Sequence, residues 1–275
     1  MNEKNKNLLL RIASAVVLLP LVLWLLYMGS YWTAVLLAVA SAACAYEYLQ
    51  MTNQGLGVPG GVALLGAASM PFAPIIHSHD PGMAALGISA VVGALFFFSW
   101  FWHLVRGPLE QAPVRVAHVV SGVLFGGIGL TAVAALRMMP DGGWWVVAAL
   151  VITWVNDTCA YFAGRFLGKH KLYPAVSPNK TWEGFAGGMV GSIGGLFILR
   201  AGFFPGLSVM DCVVIGVLGG ICGPAGDLCE SMLKRAYGAK DSGNLIPGHG
   251  GMLDRIDALL FNAPMLLVYL HLTRH

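Results

Sequence analysis

Apolar and polar positions in this chain alternate over tens of residues. Long apolar runs cover about 8–27, 32–49, 58–76, 84–105, 116–136, 143–163, 184–203, 208–230 and 258–272. Each is near the ~20 residues an α-helix needs to cross a bilayer at ~1.5 Å per residue. The pattern predicts an all-α integral membrane protein with about nine transmembrane helices. The third run is interrupted by Pro71 and Pro74, and the ninth is short. Two polar connections are long, about 164–183 and 231–257, and only these can build a polar site. The chain is therefore read as an N-terminal multi-span region, 1–140, and a C-terminal catalytic region, 141–275, that holds both loops. The first region has short loops and few ionisable groups, which suits a scaffold or a lipid-facing part.

Composition agrees. Of 275 residues, 57% are hydrophobic and 11% charged, against about 25% charged in soluble domains. A soluble globule of this length would not carry so little charged surface. The net charge of +3, with no basic stripe interleaved with aromatics, gives no reason to expect nucleic acid as a partner. Cys44, Cys159, Cys212, Cys222 and Cys229 form no CxxC pair and lie in or beside apolar runs. They read as small apolar fillers. Lys4 and Lys6 ahead of the first run also fit a secretory signal. That run is longer than an h-region of ~7–15 residues, and a second run follows directly, so a retained helix is expected.

Orientation follows from Lys and Arg. With the N-terminus in the cytoplasm, thirteen of the sixteen fall on the cytoplasmic side; only Arg137, Arg200 and Arg274 fall opposite. This is a positive-inside pattern. It places the C-terminus outside, both long loops at the cytoplasmic face, and the polar site with them.

Ionisable groups inside spans are expensive, so each needs a reason. Asp157, in Asn156-Asp157, and Asp227 fall near the cytoplasmic ends of spans six and eight, and Glu183 opens span seven on the same side. The topology brings three acids to one depth. Asp227, Glu230 and Lys234 share a face if their helix continues. Gly223, Pro224 and Gly226 can loosen that helix and free carbonyls for a cation. Carboxylates without a Cys or His cluster favour a hard ion such as Mg²⁺ over zinc. Asp254 and Asp257 are three apart; for Asp257, metal ligation and a plain helix N-terminal charge or ion pair with Arg255 stand equal.

The turn Ser177-Pro178-Asn179-Lys180-Thr181-Trp182-Glu183 is hydroxyl-rich and precedes span seven. Thr181 or Asn179 can cap the helix and Glu183 can favour its dipole. A cap leaves Lys180 unexplained, which points to a phosphate cradle. Residues 231–257 add Lys234, Arg235, Lys240, Asp241, His249, Arg255 and five glycines, whose backbone N–H groups can approach an anion. His249 can act as a base or shape its loop; binding or loop shaping is favoured.

Ser231-x-x-Lys234-Arg235-x₄-Lys240-Asp241-x-Gly243-x₂-Ile246-Pro247-x-His249-Gly250-Gly251-x₂-Asp254-Arg255-x-Asp257 resembles the signature of phosphatidate cytidylyltransferases, also called CDP-diacylglycerol synthases. Asn156-Asp157, Gly164-Arg165 and the Ser177–Gly184 stretch are similar as well, so the resemblance covers the half from 150 onward. It implies that CTP and phosphatidate give CDP-diacylglycerol and pyrophosphate. It implies Mg²⁺, with room for a second, monovalent cation such as K⁺. It also implies a homodimer in the bacterial inner membrane, multi-pass, with its active site facing the cytoplasm. Carried over, Asp227 and Asp254 hold the metal, and with Lys234 and Lys240 form the catalytic set. Asn156, Asp157, Ser177, Asn179, Lys180, Thr181, Glu183, Arg235, Asp241, His249 and Arg255 bind substrate. Three alternatives stand: a CTP-using lipid kinase, a synthase acting on an isoprenoid ether lipid, and a transporter with buried acids. The dense signature speaks against the first. The acids gathered at one face speak against the last.

Overall fold

The computed structural model describes residues 16, 17, 20, 21, 24, 25 and 27–274, except 54 and 249. The first expected span, 8–27, and His249 thus lie largely or wholly outside the described residues. Eight helices within them are long and apolar enough to cross a membrane. They match the other eight runs: α1 Ser30–Met51, α2 Gly57–Ser69 with its continuation to Ile76, α3 Pro81–Arg106, α4 Ala112–Met138, α5 Gly142–Leu167, α6 Trp182–Gly202, α7 Val209–Ala236 and α8 Leu253–Thr273. The third run is broken at its two prolines. After α2 a 3-10 turn, Met70–Phe72, and a short helix, Ala73–Ile76, carry the two prolines, which supply no N–H to a regular ladder.

Two differences from the sequence pattern bear on the site. Helix α7 runs on to Ala236 and α8 begins at Leu253, so the 231–257 connection is helical at both ends. The other long connection forms a hairpin, with β1 Lys171–Tyr173 antiparallel to β2 Ser177–Thr181. Hydropathy sees only the apolar middle of a helix, and it cannot see a polar hairpin.

By its internal contacts the chain forms two compact units, Met1–Met138 with Tyr237–Arg255, and Met139–Ala236 with Ile256–His275. In the first, Leu49, Ala63, Ala67, Met70, Leu95, Val119 and Val123 form a buried core. Helices α1 and α4 meet at Gly126, where an added Cβ would lie 2.5 Å from the Cys44 Cβ. The Tyr237 hydroxyl lies 2.9 Å from His118 Nε2.

In the second unit, α5, α6 and α7 also pack through small residues. A Cβ on Gly191 would come 2.6 Å from Cys159, and one on Gly220 would come 2.8 Å from the Met189 Cα. The Gly187/Gly191/Gly195 and Gly216/Gly220 spacings are thus close-packing faces. Buried polar side chains link helices: Asn156 donates to the Ser192 hydroxyl (3.2 Å), and Asn262 to the Thr153 hydroxyl (3.0 Å). Such interhelical bonds contribute about 0.6 kcal/mol each. At one end of this unit Asp211 accepts from Tyr269 (2.8 Å), Arg274 (2.7 Å) and the Ser208 N–H (2.9 Å). The Arg274 guanidinium also lies 4.6 Å from the Trp145 ring centroid.

Candidate active site

The second unit contains a cavity of about 590 Å³, within the range of small-molecule sites. Helix α5 lines it with Asn156, Asp157, Tyr161 and Arg165. The hairpin contributes Asn179, Lys180 and Thr181, and α7 contributes Pro224 and Asp227. Lys180 Nζ meets Asp227 Oδ2 at 2.6 Å, and the Ser231 hydroxyl donates to Asp227 Oδ1 at 3.1 Å. Asp157 and Asp257 both stand within electrostatic reach of Asp227 and Lys180. Asp157 and Asp227 thus share the cavity lining with Lys180 and Arg165, and Asp257 lies within electrostatic reach without lining it.

Each group is placed by local structure. Thr181 is the N-cap of α6 and accepts from the Gly184 N–H at 3.1 Å, so the cap reading and the cavity reading hold together. β2 turns Lys180 toward Asp227. Glu183 does not line the cavity; it accepts from the backbone N–H of His170 (3.2 Å) and contacts its ring Nδ1 (2.6 Å). Helix α7 is not loosened before Asp227. It stays helical through Pro224, and its glycines serve packing. A Cβ on Gly226 would lie 2.6 Å from the Asp257 carbonyl oxygen, and one on Gly223 would lie 2.9 Å from Asn262. That close α7–α8 approach is what brings Asp257 beside Asp227.

Further along α7, Lys234 is buried and pairs with Glu230 at 2.8 Å. Arg235 Nε donates to the Val176 carbonyl at 3.4 Å, tying α7 to the hairpin turn. Ser177 starts β2, half-buried.

The rest of the signature belongs to the first unit, where Lys240 and Asp241 are exposed. Asp254, in the first turn of α8, accepts at Oδ2 from the Ser242 N–H (2.9 Å), the Ser242 hydroxyl (2.9 Å) and the Gly251 N–H (3.1 Å). Arg255 is exposed and its N–H reaches the Met252 carbonyl. One residue absent from the sequence reading stands at the centre of this loop. Glu47 of α1, 1% exposed, accepts from the Met252 N–H, the Leu253 N–H and the Ser242 hydroxyl at 2.9, 2.9 and 3.1 Å. The glycine-rich backbone does approach an anion, and that anion is a side chain of the protein. The signal was available: Glu47 is a lone acid in an apolar run, which is costly unless it has partners.

Among the described residues, no three acid, His or Cys groups stand together as a ready metal cage. Mg²⁺ does not require one. It is commonly held by one or two carboxylates together with water and substrate phosphate oxygens. Asp227, which already receives an ammonium and retains two acidic neighbours, fits such an ion.

Comparison with known proteins identifies the family. The model of the cytidylyltransferase family matches residues 9–273. A phosphatidate cytidylyltransferase of Staphylococcus haemolyticus is 32% identical over 262 residues, 94% of this chain and 98% of the relative. One from Brucella suis is 33% identical over 267 residues, 96% of this chain and 93% of the relative. A Staphylococcus aureus phosphatidate cytidylyltransferase is 30% identical over 94% of this chain and 98% of its own length. With its signature, its cavity and a match from end to end, the chain belongs to the cytidylyltransferase family.

Proposed function

We infer that this protein transfers the cytidylyl group of CTP to phosphatidate, forming CDP-diacylglycerol and pyrophosphate for phospholipid synthesis. The observation that carries this reading is the acid-lined cavity with a basic hairpin, set among apolar helices, in a chain whose full-length relatives are phosphatidate cytidylyltransferases. A phosphate oxygen of the lipid bonds to the α-phosphorus of CTP. The bond from that phosphorus to the bridging oxygen breaks, and the oxygen leaves with the electron pair as part of pyrophosphate. The attacking phosphate is largely ionised near neutral pH, so positioning and charge neutralisation dominate over proton transfer.

Asp227, together with Asp254, is proposed to hold Mg²⁺, which when bound would neutralise charge developing on the phosphates. A second, monovalent cation such as K⁺ is proposed beside it, on the family resemblance alone. Lys180 would exchange Asp227 for a phosphate oxygen, with Ser177, Asn179 and Thr181 as hydroxyl and amide partners and Asn156 and Asp157 on the opposite wall. Lys234, Arg235 and Lys240 are assigned to the triphosphate, with Asp241, His249 and Arg255 shaping the loop around it. Glu183 holds the hairpin through His170. The enzyme is read as a homodimer of the bacterial inner membrane with this site facing the cytoplasm. The Lys and Arg asymmetry and the bacterial relatives support that placement.

The test is purified protein in mixed micelles with Mg²⁺, labelled CTP and phosphatidate. Lipid-extractable label that depends on both substrates is expected. Label that requires an ether lipid in place of phosphatidate, or that comes from the γ-phosphate, would overturn the assignment.

A further inference from the structure

A buried carboxylate that belongs to neither substrate cavity nor signature organises the signature loop. Glu47 lies near the C-terminal end of α1, and both of its oxygens are engaged by that loop. Oε1 accepts from Met252, and Oε2 accepts from Leu253 and Ser242. A carboxylate offers two acceptor oxygens and no donor. Gln would turn an NH₂ toward one of two N–H groups, leaving a buried donor facing a donor. The site is therefore built for the anion.

The space is also cut to this side chain. A Cβ on Gly243 would lie 2.7 Å from Glu47 Oε1. A Cβ on Gly251 would fall onto the Ser242 hydroxyl and lie 2.6 Å from Glu47 Oε2. Two signature glycines that suggest close approach to a nucleotide phosphate are thus required by an acid some two hundred residues earlier in the chain. The bond network continues to Asp254. The Ser242 hydroxyl lies 3.1 Å from Glu47 Oε2 and 2.9 Å from Asp254 Oδ2, and it has one hydrogen for two carboxylates. The backbone N–H groups of Ser242 and Gly251 add two more donors to Asp254 Oδ2. Ser242 and the Gly251 N–H thus supply three contacts that orient Asp254.

We propose that Glu47 is a positioning residue for cytidylyl transfer: its buried carboxylate fixes Ser242 and the 251–253 backbone and thereby sets the orientation of Asp254. The proposal rests on the reading that Asp254 serves the reaction.

Full-length Glu47→Gln, Glu47→Asp and Asp254→Asn proteins in detergent would be compared for kcat, KM, thermal midpoint and amide hydrogen exchange. For Glu47→Gln, kcat falls by about 10- to 100-fold, as for loss of groups that orient a metal ligand. KM for CTP and phosphatidate changes little, and amides of the 242–254 segment exchange faster while those of α5 and α6 do not. Glu47→Asp, which keeps two acceptors on a shorter stem, recovers part of kcat. Wild-type kcat in Glu47→Gln beside an inactive Asp254→Asn overturns the proposal alone. An active Asp254→Asn overturns the reading beneath it. Lost kcat with unchanged exchange in 242–254 also refutes positioning. If Glu47→Gln does not fold, Ser242→Ala keeps the Glu47 backbone bonds and removes only the bridge; wild-type kcat there refutes the link to Asp254.

Discussion

Replacing Lys180 by Met removes the ammonium that meets Asp227 at 2.6 Å and keeps the aliphatic stem. Two effects of different size follow. The side chains of the pair are 25% and 35% exposed, so its contribution to folding is that of a solvated ion pair, about 0–1 kcal/mol. The midpoint of thermal unfolding in detergent should therefore barely move. In the reaction the same ammonium is a preorganised cation aimed at transferring phosphates. Loss of one such group costs about 2.7–4 kcal/mol of transition-state stabilisation, or roughly 10²–10³ in rate. Initial rates of lipid-extractable label at saturating Mg²⁺, with thermal melts of the same preparations, separate the two. Lys180→Arg should fall between, since it keeps the charge but not the point geometry. A Lys180→Met enzyme within about threefold of wild-type kcat/KM, or one whose rate loss merely follows a large fall in stability, would refute the cradle.

Gly226→Ala should lower both stability and activity. Its Cβ would press on the Asp257 carbonyl and the Phe261 ring at 2.6 and 2.8 Å, an overpacking cost of about 1–3 kcal/mol at the contact that holds Asp227 beside Asp257; melts and rates report it. Arg274→Ala should cost about 1–3 kcal/mol by leaving buried Asp211 with only Tyr269 and Ser208, while kcat measured well below the melting range stays at wild type. Excess chelator should abolish product formation and added Mg²⁺ restore it, whereas turnover that persists in chelator would remove the metal from the scheme.

The helices were legible because a membrane span needs a long apolar run, and hydropathy measures that directly. Their ends were less so: Lys234, Arg235 and Asp254 sit on helices whose polar turns fall below any hydropathy threshold. Topology brings Asp157, Asp227 and Glu183 to one depth; Asp157 and Asp227 do share the cavity, Glu183 does not line it, and the Lys180–Asp227 pair is not legible from depth alone. The hairpin 171–181 is not legible either, because its strands carry no alternating apolar pattern. Gly223, Pro224 and Gly226 suggest a loosened helix before Asp227, yet the helix is unbroken there and the two glycines make room for Asn262, Asp257 and Phe261. Glu47 escaped for a different reason. A lone acid in an apolar run shows that it needs partners, but those are backbone N–H groups and the Ser242 hydroxyl of a loop far away in sequence, and no spacing rule identifies them.

The Glu47 contact also bears on how such enzymes can be cut and recombined. The 237–255 segment interrupts the second unit in sequence but folds with the first. A chimera joined near residue 139 would inherit its signature from one parent and the acid that seats it from the other. Exchange between relatives should succeed only when α1 travels with residues 242–253, and a fragment beginning after Met138 would carry the whole signature without the anchor that shapes it.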